Sequence, residues 1–492
     1  MTKACERFWI TILAVALSVD MAWAQQQKDP RVNPPVAPQA PLSTGESSNQ
    51  VTQEGSGFPV PEEKSATPDT RSLSGAELFT LGQMGERRSY LLASVDFFQS
   101  ADSNSDIAGN QTNFDAVSTF SGHIVLQRLW SRYQLALDYT GGGSVYNNRS
   151  GLNTPSHQFG LTQSIAWRRW SLKLSDYFGY LPESAFGFGG FNSGLGGPNP
   201  TAVNINPVSN AVNLNPILTP NQTIFTSRAS RLSNTAVGEV DYNISPRSSI
   251  TATGSYGILH FSSGTLINSN NAIFQTGYNY ELTKRDTLAL TYGFSRYWFG
   301  GTTRTINDHS VLVGYGRRLT GRLALQLSAG PEVYKVSDPV GGSGRRASWT
   351  TSSALRYRFR RSELEASYAT YLAGGAGVLA GSRSHQVQAT MARQLSRMWS
   401  GSLNLGFAHN TALPQDATQT GRLAFNTWYS GANLSRPLGR HTSLFLDYFF
   451  QRQVGNNASN APCISGGICG TNLVRHHFGL GFNWHLRPIR ID

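Results

Sequence analysis

Thr287-Leu288-Ala289-Leu290-Thr291-Tyr292-Gly293-Phe294 is a run in which every second side chain is large and apolar, while those between are small or polar. Successive side chains of a β-strand point to opposite faces, so such a run makes one greasy face and one polar one. The same alternation runs through Tyr133, Leu135, Leu137 and Tyr139, through Leu323, Leu325 and Leu327, and through Leu403, Leu405 and Phe407. It returns in Leu444, Leu446, Tyr448 and Phe450, and again in Phe478, Leu480, Phe482, Trp484 and Leu486. The intervening positions are mostly Gly, Ala, Ser, Thr, Asn, Gln or a charge, which suits water or polar packing.

The alternation is periodic. Basic turns at Arg132, Arg169, Arg247, Arg285, Arg322, Arg361, Arg397 and Arg440 fall at spacings of 37, 78, 38, 37, 39, 36 and 43 residues. Each unit reads as a strand, a Gly/Asn/Ser-rich loop, a second strand and a short turn such as Lys284-Arg285-Asp286 or Thr320-Gly321-Arg322. The double spacing holds one long insertion. Strands are predicted near residues 95, 122, 136, 162, 175, 238, 255, 276, 291, 313, 328, 354, 368, 390, 405, 428, 447 and 481, which makes eighteen within a bracket of 16 to 20. A β-propeller blade has a similar period but packs four short strands into it. Here each unit holds two runs of about ten or more residues, enough to cross a bilayer at a tilt.

Composition agrees with export and insertion. The 492 residues include only 14% charged side chains against 50 Gly and 11% aromatics, where soluble domains carry about 25% charge. Residues 1–24 read as a secretory signal: Lys3 and Arg7, an apolar run from Phe8 to Val19, then Ala22-Trp23-Ala24. No later stretch reaches the ~18 uninterrupted apolar residues of a membrane helix. Net charge is +12, without zinc-finger spacing or an aromatic-basic RNA motif, so nucleic acid is not an expected partner. Cys463 and Cys469 remain after the signal is removed and are expected to form a loop-shaping disulfide.

Residues 25–89 form a Pro-rich leader, expected to be disordered because it cannot bury enough apolar surface to offset its ordering entropy. A short helix is expected near residues 75–83, with Ser74 and Glu77 as a capping box and Leu73 and Leu78 as its staple. It is read as a tether or as a helix resting on the barrel, with a plug as the alternative.

With its cleavable signal, Pro-rich leader, repeated hairpins and final strand His477-Phe478-Gly479-Leu480-Gly481-Phe482-Asn483-Trp484, the chain resembles the porin-like outer-membrane β-barrels of Gram-negative-type bacteria. It departs from their usual terminal aromatic residue by continuing to Arg487-Pro488-Ile489-Arg490-Ile491-Asp492. The resemblance implies an all-β fold, a transmembrane antiparallel up-and-down barrel over residues 90–487, located in the cell outer membrane. Its partners would be outer-membrane lipid, the barrel-insertion machinery and a polar small-molecule or saccharide solute, with homo-oligomers compatible. Closure is required physically, since an open sheet edge in lipid leaves backbone groups unsatisfied at several kcal/mol each. Trp130, Trp167, Trp170 and Trp399 adjoin the short turns, where indoles can sit at the headgroups.

About eighteen strands leave room for a water-filled lumen. Arg128, Arg132, Lys173, Arg356, Arg358 and Arg360 are expected to face it, with Glu363 and Glu365 answering them. They make either a mildly anion-favouring ladder or a set of turn-proximal charges that neutralise one another. Residues 183–228 form a long external or constriction loop, free of charge between Glu183 and Arg228, in which Ala202-Val203-Asn204-Ile205-Asn206-Pro207 repeats as Ala211-Val212-Asn213-Leu214-Asn215-Pro216. Phe186, Phe188, Phe191, Asn204, Asn206, Asn213 and Asn215 are its candidate solute contacts. The loop is weighed more toward an exposed surface role than toward a folded-in constriction.

No H-E-x-x-H or P-loop occurs, and the adjacent His476 and His477 would point to opposite faces of a strand. No metal, cofactor or catalytic residue is assigned, and the chain is read as not an enzyme. The expected function is passive diffusion or export of polar solutes, with a slight preference for anions or saccharides. The alternative is a non-conducting barrel acting as an adhesin or envelope assembly component.

Overall fold

The computed structural model describes residues 72–76, 89–104, 114–182, 215–225, 229–264, 266–338, 342–413, 423–456 and 473–491, all within one compact unit spanning Val60–Asp492. The strands are β1 (Tyr90–Asp102), β2 (Asp115–Leu129), β3 (Tyr133–Tyr146), β4 (Thr154–Ala166), β5 (Trp170–Leu181), β6 (Arg231–Ser245), β7 (Ser248–Phe261), β8 (Ser269–Glu281) and β9 (Asp286–Phe299). They continue as β10 (Thr305–Thr320), β11 (Leu323–Asp338), β12 (Gly342–Arg358), β13 (Ser362–Ala373), β14 (Ser382–Gln394), β15 (Ser400–Ala412), β16 (Ala424–Pro437), β17 (Thr442–Asn456) and β18 (Leu473–His485). Each pairs antiparallel with its sequence neighbours, and β1 pairs with β18 from Ser94↔His485 to Asp102↔His477. The fold is a closed all-β up-and-down barrel of eighteen strands, and every predicted strand centre lies within one of them.

All eight basic turn residues, Arg132 through Arg440, lie in the short connections on one end of the barrel. Past β18 the chain extends the wall beyond the expected end at residue 487: a short strand β19 (Ile489–Arg490) pairs with Leu91 and Tyr90 after a one-residue slip at Pro488. Proline has no N–H to offer a ladder, so the slip falls there.

The greasy rows face out. Leu290, Leu405, Phe478 and Trp484 are among the exposed large apolar side chains, while their strand neighbours face in and are mostly buried. At the short-turn end Trp130, Trp167 and Trp170 are half exposed, and Arg436 lies over Trp399. Toward the other end, four outward Tyr–His pairs recur on adjacent strands. Tyr139, Tyr292, Tyr368 and Tyr448 hydroxyls lie 3.0, 2.8, 3.4 and 3.1 Å from Nδ1 of His157, His309, His385 and His476. The barrel thus carries an apolar belt with amphipathic rings at both margins, as a bilayer requires.

Inside the seam, Phe98 stacks on Phe445 and His477, and Phe449 stacks on His477. These rings need Gly479 and Gly481: a Cβ at Gly479 would meet Phe98 Cζ at 2.1 Å, and one at Gly481 would meet Phe445 Cζ at 2.2 Å. Gly481→Val is therefore expected to destabilise the barrel by about 1–3 kcal/mol through overpacking, read as a lower temperature of loss of the compact, fast-migrating form on semi-native gels. An unchanged midpoint would show that the stack can move aside.

The wall is not uniform at β12 and β13. They pair only from Thr351↔Thr370 to Arg358↔Glu363. Beyond that point the end of β13 turns inward, and Leu372 joins a buried cluster with Ile267, Tyr297, Phe299, Ile306 and Tyr334. The Tyr297 hydroxyl donates to the Leu372 carbonyl at 2.9 Å. Arg383, on β14, reaches across the resulting gap, donating to Glu332 at 3.1 Å and to the Trp349 carbonyl.

Candidate functional site: the barrel lumen

The inner wall is polar because the alternate positions of every strand supply Ser, Thr, Asn, Gln and paired charges. Near the short-turn end, Arg356 donates to Glu365 at 2.6 Å and Arg358 lies 3.5 Å from Glu363. Lys173 stands opposite Glu239 in the β5–β6 register. His123 and Asp138 are 2.8 Å apart. Near the long-loop end, Arg475 is held by Asp102 through contacts of 2.9 and 3.0 Å from its Nε, with both side chains 1% exposed. In the connection before β10, Arg304 is buried and donates to the Leu413 carbonyl at 3.2 Å. Burial draws the pKa of Arg304 below its ordinary value, and Asp338 opposes that shift.

Three segments outside the strands enter this lumen. The first is the end of the leader. Ser72 Oγ donates to Asp241 at 2.6 Å, and the Ser74 backbone N–H donates to Asn279 Oδ1 at 3.1 Å. The Ala76 N–H donates to Glu239, and Leu73 lies against Gly316. Ser74 thus binds the barrel wall and Leu73 docks on β10; Glu77 and Leu78, their expected partners in a capping box and staple, lie outside the described residues. Residues 72–76 form a turn; the remainder of the predicted helix, 77–83, lies outside the described residues. The leader's end is neither a free tether nor an outer rest.

The second is the end of the long insertion. Asn215 accepts from the Ile217 N–H at 3.2 Å, capping a single 3-10 turn at Pro216–Leu218, while its own N–H donates to the Ala76 carbonyl at 2.8 Å. Leu218 is fully buried against Ala76, Val237 and Ile273, and Ser255 donates to its carbonyl at 3.3 Å. From there the chain crosses to the far wall. Asn221 donates to Asn410 at 3.1 Å, and Thr223 exchanges bonds with the same side chain at 3.2 and 2.9 Å. Phe225 donates to and accepts from Gln453 at 2.7 and 2.9 Å. The strap runs from β7 to β17, almost opposite one another in an eighteen-strand ring. Residues 215–225 therefore run inside the barrel, while 183–214 and 226–228, the rest of the loop weighed toward an exposed surface role, lie outside the described residues.

The β13–β14 connection folds in beside it. Gly375, Ala376, Gly377 and Gly381 all have positive φ, which four residues in such a short stretch achieve cheaply only because three are glycine. Ala376 and Leu379 pack on Ile224 and Phe425, and the Ile267 N–H donates to the Gly377 carbonyl at 2.8 Å.

Of the charges expected in the lumen, Lys173, Arg356, Arg358, Glu363 and Glu365 occupy inward positions. Arg128 does not. It pairs with Leu135 on the outward face and rests over the Trp130 ring, 4.7 Å from its centre, because it shares strand parity with the lipid-facing Ile124 and Leu126. Arg132 and Arg360 lie in exposed short turns. Among the loop contacts only Asn215 is described. Phe186, Phe188, Phe191, Asn204, Asn206, Asn213 and the Cys463–Cys469 pair lie outside the described residues. The Asp102–Arg475 pair, Asn410 and Gln453 were not singled out in the sequence; inward polar parity was the available signal.

Comparison with solved structures returns OccK2 of Pseudomonas aeruginosa in complex with glucuronate, at 10% identity over 81% of this chain and 98% of that one, with a TM-score of 0.41. OpdL of P. aeruginosa follows at 11% identity, 81% and 99% coverage and a TM-score of 0.39. OccAB3 of Acinetobacter baumannii gives 9% identity, 81% and 99% coverage and 0.39. No protein-family model and no curated protein matches the chain.

Proposed function

We propose that the chain sits in a bacterial outer membrane as a porin-like channel for passive passage of small polar solutes. The observation that carries this is the uncharged strap, Asn215–Phe225, drawn across the lumen of a closed, belted eighteen-strand barrel. A barrel of this size otherwise leaves an aqueous channel, and an inward strap sets its bore. Arg356 and Arg358 are paired with Glu363 and Glu365, so we assign this part of the lumen weak charge discrimination, which favours passage of neutral polar solutes such as saccharides. Steady current from refolded protein in a planar bilayer supports this reading; a sealed bilayer containing correctly folded protein overturns it.

A second reading follows from the same packing. Residues 72–76, 215–225 and the β13–β14 connection all pack inside the barrel, which favours a barrel that conducts only after one of them moves. Zero resting current that appears on removal of the leader distinguishes it.

Charge selectivity gives a further expectation. Glu363→Gln with Glu365→Gln removes two carboxylates beside Arg356 and Arg358 and should shift the zero-current potential in a salt gradient toward anion preference. An unchanged potential would place these four residues away from the ion path.

A further inference from the structure

The outer wall of β9–β12 changes character at one row. Phe294, His309, Val333 and Ala347 lie in register across the four strands, as do Leu290, Val313, Ala329 and Thr351 nearer the short turns. These rows belong to the apolar belt. The next row toward the long loops is Arg296, Asn307, Lys335 and Arg345, with all three cations exposed. No carboxylate occupies an outward position in these rows; Asp308 and Glu332 point inward. Arg296 lies 5.2 Å from the Trp298 ring centre, at the level where indoles mark a membrane boundary.

Three further features point to an occupant. The surface here is concave, a recess of about 450 Å³ lined by Asn307, His309, Val333, Lys335, Ser343 and Arg345. Its polar upper wall continues into the apolar belt, so a molecule seated there meets cations and hydroxyls at one end and hydrocarbon-compatible surface at the other. β12 has no β13 partner before Thr351, so the ladder beside Arg345 is not shared with β13. Neighbouring strands are about 4.8 Å apart, so the cations span roughly 15 Å across the sheet, wide enough for more than one phosphate.

We infer that this row binds the phosphate-bearing headgroup of a lipid in the outer leaflet, with Lys335, Arg345 and Arg296 as the charged contacts and Ser343 and Asn307 as hydrogen-bonding ones. The occupant is a membrane lipid because the recess is continuous with the apolar belt, and anionic because Lys335 and Arg345 line it, Arg296 stands at the end of the same row, and no carboxylate faces outward in these rows. The inference rests on the membrane-spanning reading.

The test uses the full barrel refolded in neutral detergent and native mass spectrometry with diphosphoryl lipid A, its dephosphorylated counterpart with the same acyl chains, and inorganic phosphate. The wild type should retain the diphosphoryl form at about tenfold lower lipid concentration than the dephosphorylated form. Arg296→Gln with Lys335→Gln and Arg345→Gln should abolish that preference, and Asn307→Asp alone should weaken it by placing a carboxylate in the row. Arg322→Gln with Arg361→Gln and Arg397→Gln, all in the short turns, should leave it unchanged. Equal retention of both lipids, preference surviving the first variant or Asn307→Asp, or displacement of the lipid by millimolar inorganic phosphate would overturn the assignment. Heat-modifiable gel migration of each sample reports the barrel separately, so failure of the membrane reading is distinguished from failure of the lipid site.

Discussion

Excising residues 215–225, with a short Gly-Ser bridge in their place, is expected to raise single-channel conductance severalfold. The strap crosses nearly the full ring of strands, and its removal returns the bore toward that of an open barrel. The barrel itself should still form, because its ladder closes through β1 and β18 without the strap. Point variants at the anchors give a graded form of the same result. Asn410→Ala removes the partner of Asn221 and Thr223, and Gln453→Ala removes that of Phe225. Each leaves buried donors or acceptors unpaired at about 1–3 kcal/mol, so steady current should give way to fluctuation between levels. Unchanged conductance in the excised protein would mean that the strap does not set the bore.

The second large effect is expected at the seam. Arg475→Ala leaves Asp102 as a buried carboxylate deprived of its cation, which costs about 3–5 kcal/mol. The loss should appear as a marked drop in the temperature at which the compact form disappears on semi-native gels. Asp102→Leu with Arg475→Leu should recover most of it, because a buried pair replaced together by apolar groups loses attraction and desolvation cost at once. A single-variant effect below about 1 kcal/mol would be that of a solvated surface pair and would remove the seam role.

The contrast between what the sequence displays and what it hides follows the range of the interactions. Strands such as β9 and β17 are legible because alternation and basic turns are local properties of consecutive residues. The strap is not, since Asn221 finds its partner 189 residues later and Phe225 finds its partner 228 residues later. Ser72 reaches Asp241 over 169 residues, and no local pattern in the leader announces that contact. The inward turn of β13 likewise depends on Leu372 meeting Tyr297 and Phe299 from a different hairpin. Arg128 illustrates a different failure: charge suggested the lumen, but the parity of Ile124 and Leu126 placed it outside, where its stem can lie along apolar surface with the head beside Trp130.

The position of the strap's anchors also orders the molecule's assembly. The side chains that hydrogen-bond the strap's far end lie on β15 and β17, in the final quarter of the chain, so that end has no such partner until nearly all hairpins have been laid down. A truncated chain ending before β15 would hold hairpins from β1 to β14 and a strap fixed at its β6–β8 end, without Asn410 and Gln453 to hold the other. Long-range contacts of this kind form late because loop closure precedes their reward, so the bore is set only as the cylinder is completed.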